Sequence, residues 1–187
     1  MSLQVSTTAI ASAIPPGRWE VDPAHSTVEF RVRHAGVARV RGVFEEFSGA
    51  LEASPDGALR AQGVIAAASL NTGVGMRDDH LRSADFFDAE THAQLTFFSS
   101  AIEVEASGSL TVRGDLTIRG VTREIVLEGE FMGSGRDDEG AERVGIEVSG
   151  RLDRRDVGLT WNAAVDGGGL LVGNRVDLAL EISAIRA

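Results

Sequence analysis

Few side chains in this sequence have the types and spacing that chemistry requires. The histidines show neither the HxH nor the HExxH spacing of a zinc site; they are His25, His34, His80 and His92. The run Asp78-Asp79-His80 could recruit a metal, but a helix start with solvated charges explains it better, so no metal site is predicted. His25 follows Asp22 at the start of a predicted strand, where a structural hydrogen bond is favoured over a catalytic role.

The nucleophile and phosphate motifs of common enzymes are missing from the sequence. The chain has no cysteine, which excludes a thiolate nucleophile and a zinc-thiolate site. It has no GxSxG elbow, and the glycines at 167–169 follow no P-loop lysine. The 28 acidic residues make chance carboxylate pairs unavoidable, and most alternate onto the solvent side of predicted strands. The sequence therefore predicts no catalytic residue, no cofactor and a protein that is not an enzyme.

Two arginines are the most promising polar groups. Arg77 and Arg82 flank His80 and Leu81 within 76–90, the stretch in which the hydrophobic alternation stops. Arginine at this position could meet a phosphate or quinone head group. Ion pairing is the favoured alternative, with Asp78, Asp85 or Asp88 as the partner.

The elements that must position these groups are β-strands. In 109–119 one face is apolar and the other polar, and the apolar residues are Leu110, Val112, Leu116 and Ile118. Because successive strand side chains point to opposite faces, such segments bury one face and expose the other, which is typical of antiparallel sheet. The pattern predicts eight strands, at 18–34, 38–53, 60–70, 94–105, 108–119, 122–133, 141–155 and 172–186.

Long strands with one apolar face favour a closed barrel, which leaves no exposed sheet edge. The stretch 76–90 is predicted to be a short helical crossing, with inward residues Leu81, Ala84 and either Phe86 or Phe87. Glycines inside the predicted strands indicate bulges or sharp bends; they are Gly42, Gly114, Gly129 and Gly150. A barrel of this size is either packed solid or holds one small ligand, and the alternation alone leaves both open.

The composition restricts the classes of partner and the cellular location that we expect for this protein. The 187 residues suit one domain, and a net charge of −10 argues against binding to the phosphate backbone of nucleic acid. No run approaches the ~20 apolar residues that a membrane-spanning helix needs. Residues 1–16 contain no basic residue, unlike a secretory signal. We predict a flexible leader over 1–16, one domain over 17–187 and a cytoplasmic location.

Six stretches of the chain match the sequence features of one protein family in the same order. The first three are WEVDPAHSTVEFRVRH at 19–34, RVRGVFEEFSG at 39–49 and MRDDHLRSADFFDAE at 76–90. The others are LTFFSS at 95–100, GDLTIRGVTREIVL at 114–127 and RRDVGLTWNAA at 154–164. Together they resemble the YceI-like family of polyisoprenoid-binding, lipocalin-like proteins. The resemblance implies an all-β fold: an extended eight-stranded antiparallel barrel with an elongated hydrophobic lumen, usually as a homodimer.

Because that family binds polyisoprenoids, isoprenoid quinones or similar long amphiphiles noncovalently, the resemblance implies a protein that sequesters or transports such a ligand. The residues expected to contact the tail are Phe30, Val32, Phe44, Phe47, Leu81, Phe86, Phe97, Leu116, Ile118 and Trp161. The polar head is expected near His80 and Arg82. Two other functions stay open. One is an enzyme acting on a lipid or quinone through His25 or His80, and the other is a stress-related interaction module with a packed lumen.

Overall fold

The fold is known from a computed structural model, which describes residues 14–187. Residues 1–13, most of the predicted leader, lie outside the described residues. Ile14 is fully buried, and the indole Nε1 of Trp19 donates a hydrogen bond to the Pro15 carbonyl at 3.1 Å. The chain is therefore packed against the rest of the domain from Ile14 onward. Within 14–187, no helix is long and apolar enough to cross a membrane.

Eleven strands form one antiparallel sheet in the described part of the chain. The first six are β1 (Gly17–Val21), β2 (Thr27–His34), β3 (Ala38–Phe44), β4 (Phe47–Ala53), β5 (Leu59–Ala66) and β6 (Leu70–Asn71). After helix α1 (Gly75–Arg82) come β7 (Gln94–Val104), β8 (Ser109–Ile118), β9 (Val121–Arg136), β10 (Glu142–Asp153) and β11 (Val172–Arg186). Short 3₁₀ helices lie at Pro23–His25, Ala67–Ser69 and Arg154–Val157.

The sheet closes on itself as an eight-stranded barrel. Its ring runs β1-β4-β5-β7-β8-β9-β10-β11, and β11 pairs again with β1. Strand β2 continues the position of β1 beside β11, and β3 continues the position of β4 beside β2. Each of three predicted strands therefore consists of two shorter strands in the structure, one after the other along the barrel wall; the three are 18–34, 38–53 and 60–70. The predicted eight-stranded antiparallel barrel is confirmed.

The breaks and the crossing have local causes. The Asp22 carboxylate accepts a hydrogen bond from the Ala24 N–H at 3.0 Å and starts the 3₁₀ turn Pro23–His25, where proline has no N–H for the ladder. Helix α1 ends at Arg82, because the chain turns at Ser83, whose N–H bonds to the His80 carbonyl. The crossing is therefore helical only in its first half, and Ala84, which was predicted to point inward, is exposed.

The two ends of the barrel differ. We call the end that carries α1 the helical end. It also carries the β2–β3 turn, the β8–β9 turn and the loop after β10. At the other end, the packed end, a small cluster of buried apolar side chains fills the interior; it comprises Ile14, Trp19, Leu51, Ala53, Val144 and Ala184. A second and larger apolar cluster extends from there to the helical end.

Glycines inside the strands make room for neighbouring side chains more often than they mark bulges. The register runs without a shift through Gly42, Gly129 and Gly150, so no bulge lies at these positions, and of the two predicted alternatives only the sharp bend stays a prediction there. Only Gly114 borders one, because the β7–β8 register shifts beside it. A Cβ on Gly42 would lie 2.3 Å from the Phe30 ring, and one on Gly114 would lie 2.5 Å from the ring of Phe97. These two glycines therefore let aromatic rings lie across the next strand.

Candidate functional site: an apolar cavity inside the barrel

An elongated cavity of about 260 Å³ lies inside the barrel. Its lining reaches from Ile14 at the packed end to Phe86 and Leu159 at the helical end, and it draws on ten of the strands. This volume is slightly below the ~300–1,000 Å³ of typical small-molecule sites. Of the two readings that the alternation left open, a solid core and a lumen with space in it, the structure shows the second.

The alternation of the strands produces this apolar lining. In β8 the predicted inward residues Leu110, Val112, Leu116 and Ile118 are all buried, and all of them line the cavity. A gap in the wall comes from β4 and β5, where Gly49 and Gly63 lie opposite each other and both line the cavity. Space is open beside Gly63, where a Cβ would meet only the Ser48 carbonyl at 3.7 Å, whereas Gly49 is packed closely against Val21 and the Gln62 carbonyl.

Nine of the twelve predicted ligand-contacting residues line the cavity. They are Phe30, Val32, Phe44, Phe47, Leu81, Phe86, Phe97, Leu116 and Ile118. The ring of Phe44 packs at 5.6 Å from that of Phe30 and edge-on at 5.7 Å from that of Phe87, which also lines the cavity. Phe86 and Phe87 both point inward, whereas the sequence could not choose between them.

The other three predicted residues lie outside the lining. Trp161, expected to contact the tail, instead packs edge-on against His80, with ring centroids 4.6 Å apart, and lies 5.3 Å from the Phe86 ring. His80 also lies edge-on to Phe86 and bonds through Nε2 to Asp85 at 2.9 Å. Because Phe86 lines the cavity, Trp161 and His80 form a second layer behind it, and we call these three side chains the aromatic layer.

The arginines of the crossing hold the backbone together. Arg82 donates to the carbonyls of Ala68 and Leu70 at 2.8 and 2.7 Å, and it pairs with Asp79 at 3.2 Å. Arg77 donates instead to the hydroxyl and carbonyl oxygens of Thr72. The expected ion pairs with Asp78, Asp85 or Asp88 are therefore wrong: Asp78 is buried and accepts from Thr72, and Asp85 bonds to His80.

One charged residue at the cavity was missed by the sequence reasoning. Arg154 is only 3% exposed, and it lines the cavity from the turn that follows β10. Its guanidinium donates to backbone or amide oxygens of five residues, Leu159, Trp161, Val172, Gly173 and Asn174. A guanidinium has five N–H donors, so the contacts are saturated and Arg154 ties the loop after β10 to β11. Burial lowers the pKa of Arg154 below its ordinary value.

The histidine at the start of β2 belongs to a polar network on the outside of the barrel. His25 Nδ1 lies 2.7 Å from the Asp22 carboxylate, which also accepts from Arg143 at 2.7 Å. Hydrogen bonds from Arg143 and then from His25 lower the pKa of Asp22 to about 2. Arg143 bonds in addition to Asp137 in the β9–β10 hairpin. Among residues 14–187, no cluster of three His, Asp or Glu side chains is placed to hold a metal ion.

Comparison with known proteins places the chain in a family. Residues 19–184 match the sequence profile of the YceI-like domain. This chain belongs to the YceI-like family. A UPF0312 protein of Staphylococcus aureus strain MSSA476 is 34% identical over 166 residues, which make up 87% of this chain and 93% of the relative. The corresponding protein of strain USA300 is 35% identical over the same length and the same shares of both chains.

Solved structures of YceI-like and related proteins share the barrel. BcnA of Burkholderia cenocepacia superposes with a TM-score of 0.73 at 25% identity, covering 87% of this chain and 98% of its own. The YceI protein of Campylobacter jejuni gives 0.71 at 27% identity, with 83% and 90% covered. A polyisoprenoid-binding domain from Saccharophagus degradans gives 0.65 at 18% identity, with 90% and 98% covered. At that identity, the last comparison shows a shared fold.

Proposed function

We propose that this YceI-like barrel binds the apolar chain of a long amphiphile, a polyisoprenoid or an isoprenoid quinone, noncovalently in its cavity. The observation that carries the proposal is the lining itself, which is built from inward-facing aliphatic and aromatic side chains along the length of the barrel. The polyisoprenoid-binding domain of Saccharophagus degradans, which has the same fold, supports this class of cargo.

The energetics of the cavity favour an apolar chain over a polar ligand. Each methylene that leaves water contributes ~0.8 kcal/mol, so a chain can bind through burial alone. Two charged residues are in the lining. Arg154 has no N–H left to offer, because all five donors already bond to protein oxygens, and the Glu29 carboxylate already accepts from Arg31 and Arg41. A polar group placed deep in the cavity would lose its hydrogen bonds to water and gain few in return, which is costly.

We place the polar head of the ligand at the helical end. There the apolar lining formed by Leu81 and Phe86 meets the polar side chains of His80 and Arg82 behind it. A chain that enters at this end has to displace or pass the aromatic layer. In this arrangement Trp161 closes the end of the cavity from behind Phe86 and does not contact the tail of the ligand.

The remaining expectations stay predictions. His25 and His80, the groups considered for proton transfer, lie outside the cavity lining, and the proposal assigns them no chemistry. A homodimer and a cytoplasmic location likewise remain predictions, as does the flexible leader over 1–16 except at its last residues, where Ile14 is buried and Pro15 accepts from Trp19. Light scattering at several protein concentrations tests the dimer, because a stable homodimer doubles the mass measured for a single chain.

Titration of the delipidated protein with farnesol, a 15-carbon prenyl alcohol, tests the proposed function. Isothermal titration calorimetry is expected to show saturable binding with about one ligand per chain and a negative heat-capacity change, the signature of apolar burial. A polar solute of similar mass, such as N-acetylglucosamine, should give no saturable heat. If farnesol also gives none, and native mass spectrometry finds no lipid retained by the purified protein, the proposal is wrong.

A further inference from the structure

One hairpin differs in charge from the rest of this acidic chain. Residues 30–44, which we call the basic hairpin, contain four arginines and one histidine but no aspartate or glutamate. The whole chain has 28 acidic residues against 18 basic ones. The basic hairpin corresponds to most of β2 and all of β3, and its turn lies at the helical end of the barrel.

The pairing of β2 with β3 brings like charges together. Arg31 lies opposite Arg41, and Arg33 lies opposite Arg39. Like charges directly opposite each other destabilise a sheet. The first pair is compensated, because the buried Glu29 carboxylate accepts hydrogen bonds from both Arg31 and Arg41.

The second pair, nearer the turn, has no such compensation. Arg33 makes one long hydrogen bond, 3.4 Å to the Gly36 carbonyl. Arg39 has neither an ion pair nor a hydrogen bond from its side chain to any residue in the described range 14–187. Two adjacent exposed guanidinium groups are thus available to an anionic partner.

The tip of the basic hairpin is apolar and fully exposed. The turn between β2 and β3 comprises the three residues 35–37, and its first two, Ala35 and Gly36, have positive φ of 49° and 73°. The turn projects Val37, which is 92% exposed. Leu170, 53% exposed, lies on the neighbouring loop, which is joined to the tip by the bond from the Ala35 N–H to the Leu171 carbonyl at 2.7 Å.

We propose that the basic hairpin docks the barrel on an anionic lipid surface, with Val37 and Leu170 inserted among the lipids and Arg33 and Arg39 against the phosphates. Charge complementarity selects this partner, since an apolar tip flanked by free arginines matches a lipid interface, where each arginine is attracted to anionic head groups. One exposed carboxylate, Asp166, lies on the neighbouring loop and weakens the attraction slightly.

Docking in this orientation would turn the end of the cavity toward the bilayer. Phe30 and Val32 of the basic hairpin and Val172 of β11 line the cavity directly below the tip. The docking proposal does not require the proposed cargo, because the surface lies on the outer face and at the turn. The two proposals can therefore fail separately.

Vesicle co-sedimentation tests the docking surface. The full chain is mixed with vesicles of phosphatidylglycerol and phosphatidylcholine in equal parts, or of phosphatidylcholine alone, at low and high salt. We expect binding to the anionic vesicles only, weakened by 0.5 M salt. The double variant Arg33→Gln/Arg39→Gln should bind about 30-fold more weakly, from roughly fivefold for each arginine near the surface. Val37→Ser should also weaken binding.

Matched variants distinguish the effect of the basic hairpin on vesicle binding from the effects of net charge and of the cavity. Arg60→Gln/Arg113→Gln removes two exposed arginines that also lack ion pairs in the described part of the chain, and it should bind vesicles like the parent. Gly63→Val narrows the cavity and should leave vesicle binding unchanged. A thermal unfolding scan should show that Arg33→Gln/Arg39→Gln unfolds no earlier than the parent, because it removes a repulsive pair.

Three results would overturn the proposal. The first is equal binding to neutral and anionic vesicles. The second is an equal loss in the Arg60→Gln/Arg113→Gln control, which would reduce the effect to net charge. The third is an absence of binding to the anionic vesicles; hairpin-dependent binding to duplex DNA or to a second copy of the chain, measured by sedimentation, would then identify the partner instead.

Discussion

Replacing Gly63 by valine should stabilise the barrel and weaken its ligand binding at the same time. Gly63 lines the cavity, and a Cβ at this position meets only the Ser48 carbonyl, at an ordinary contact distance of 3.7 Å. Its φ lies outside the left-handed region, so valine adopts this backbone without strain. The two methyl groups of the new side chain would therefore enter space that a ligand would occupy.

The two effects can be estimated from the same three carbon atoms. If each displaces one methylene-sized group of the ligand at ~0.8 kcal/mol, the loss is about 2.4 kcal/mol, or roughly 50-fold in Kd at 1.4 kcal/mol per decade. Stability should rise, because a glycine inside a strand costs about 0.5–1 kcal/mol and the new carbons are buried. We expect a gain of about 1–3 kcal/mol in the free energy of unfolding.

Urea unfolding and farnesol calorimetry on the delipidated protein measure the two quantities. Gly135→Val is the matched control, since Gly135 is an exposed residue of β9 with no atom within 4 Å of its Cβ. It should leave the farnesol Kd unchanged. General damage would lower both stability and affinity, so opposite signs are the informative outcome. An unchanged farnesol Kd in Gly63→Val, with the valine folded in place, would refute the assignment of the cavity.

Two further substitutions test how the walls of the cavity are built, and a third tests the polar network on the outside of the barrel. Gly114→Ala should cost about 1–3 kcal/mol of stability in urea unfolding, because its Cβ would lie 2.5 Å from both the Phe97 ring and the Phe98 carbonyl; a neutral result would contradict the close packing. Arg154→Lys should lower the free energy of unfolding by about 2–4 kcal/mol, since an ammonium with three donors leaves buried oxygens unsatisfied. A decrease below about 0.5 kcal/mol, the size of an ordinary surface effect, would show that these oxygens find other partners. Asp22→Asn should be less stable than the parent at pH 7 and approach the parent's stability in acid. The pKa of Asp22 is about 2 in the folded protein and 3.8 ordinarily. The ionised carboxylate therefore contributes its whole stabilisation above about pH 4 and loses it as the pH falls toward 2. Parallel stability curves for the two proteins from pH 7 to pH 2 would be inconsistent with the network around Asp22.

Most of the barrel could be predicted because alternation is a direct consequence of strand geometry. The even-numbered apolar residues of β8, including Leu110 and Ile118, had to share one face, and that face had to be inside. Alternation could not show where a predicted strand is interrupted and divides into two. Alternation resumes after the turn Pro23–His25, so 18–34 resembles one continuous strand in the sequence.

The lining was predictable on the strands and only in part outside them, where the predicted Leu81 and Phe86 line the cavity but Trp161 does not. Phe30, Phe97 and Leu116 were placed correctly in the lining because their strand register determines their face. Trp161 lies on a loop, where the direction of a side chain depends on tertiary contacts. Those contacts come from His80 and Phe86, which pack against the ring, and from Arg154, whose guanidinium donates to the Trp161 carbonyl at 2.8 Å.

Arg154 itself shows why a buried charge escapes sequence reasoning. Arginine is seldom fully buried, and Asp156, the acidic residue of the motif at 154–164, is exposed and does not indicate a buried ion pair. Its partners are backbone and amide oxygens, which only the folded loop brings together. The run of glycines and small residues after Trp161 was the one available signal that this loop needs an anchor.

Photo-crosslinking of a diazirine-labelled farnesyl probe, followed by peptide mapping, tests the central claim most directly. The account predicts adducts on inward residues, above all Leu116 or Ile118 in the tryptic peptide 114–119 and Phe97 on the neighbouring strand. Excess unlabelled farnesol should compete them away, and Gly63→Val should reduce them. Adducts confined to exposed apolar residues of the outer surface, such as Phe98 and Met132, would contradict a ligand bound inside the barrel.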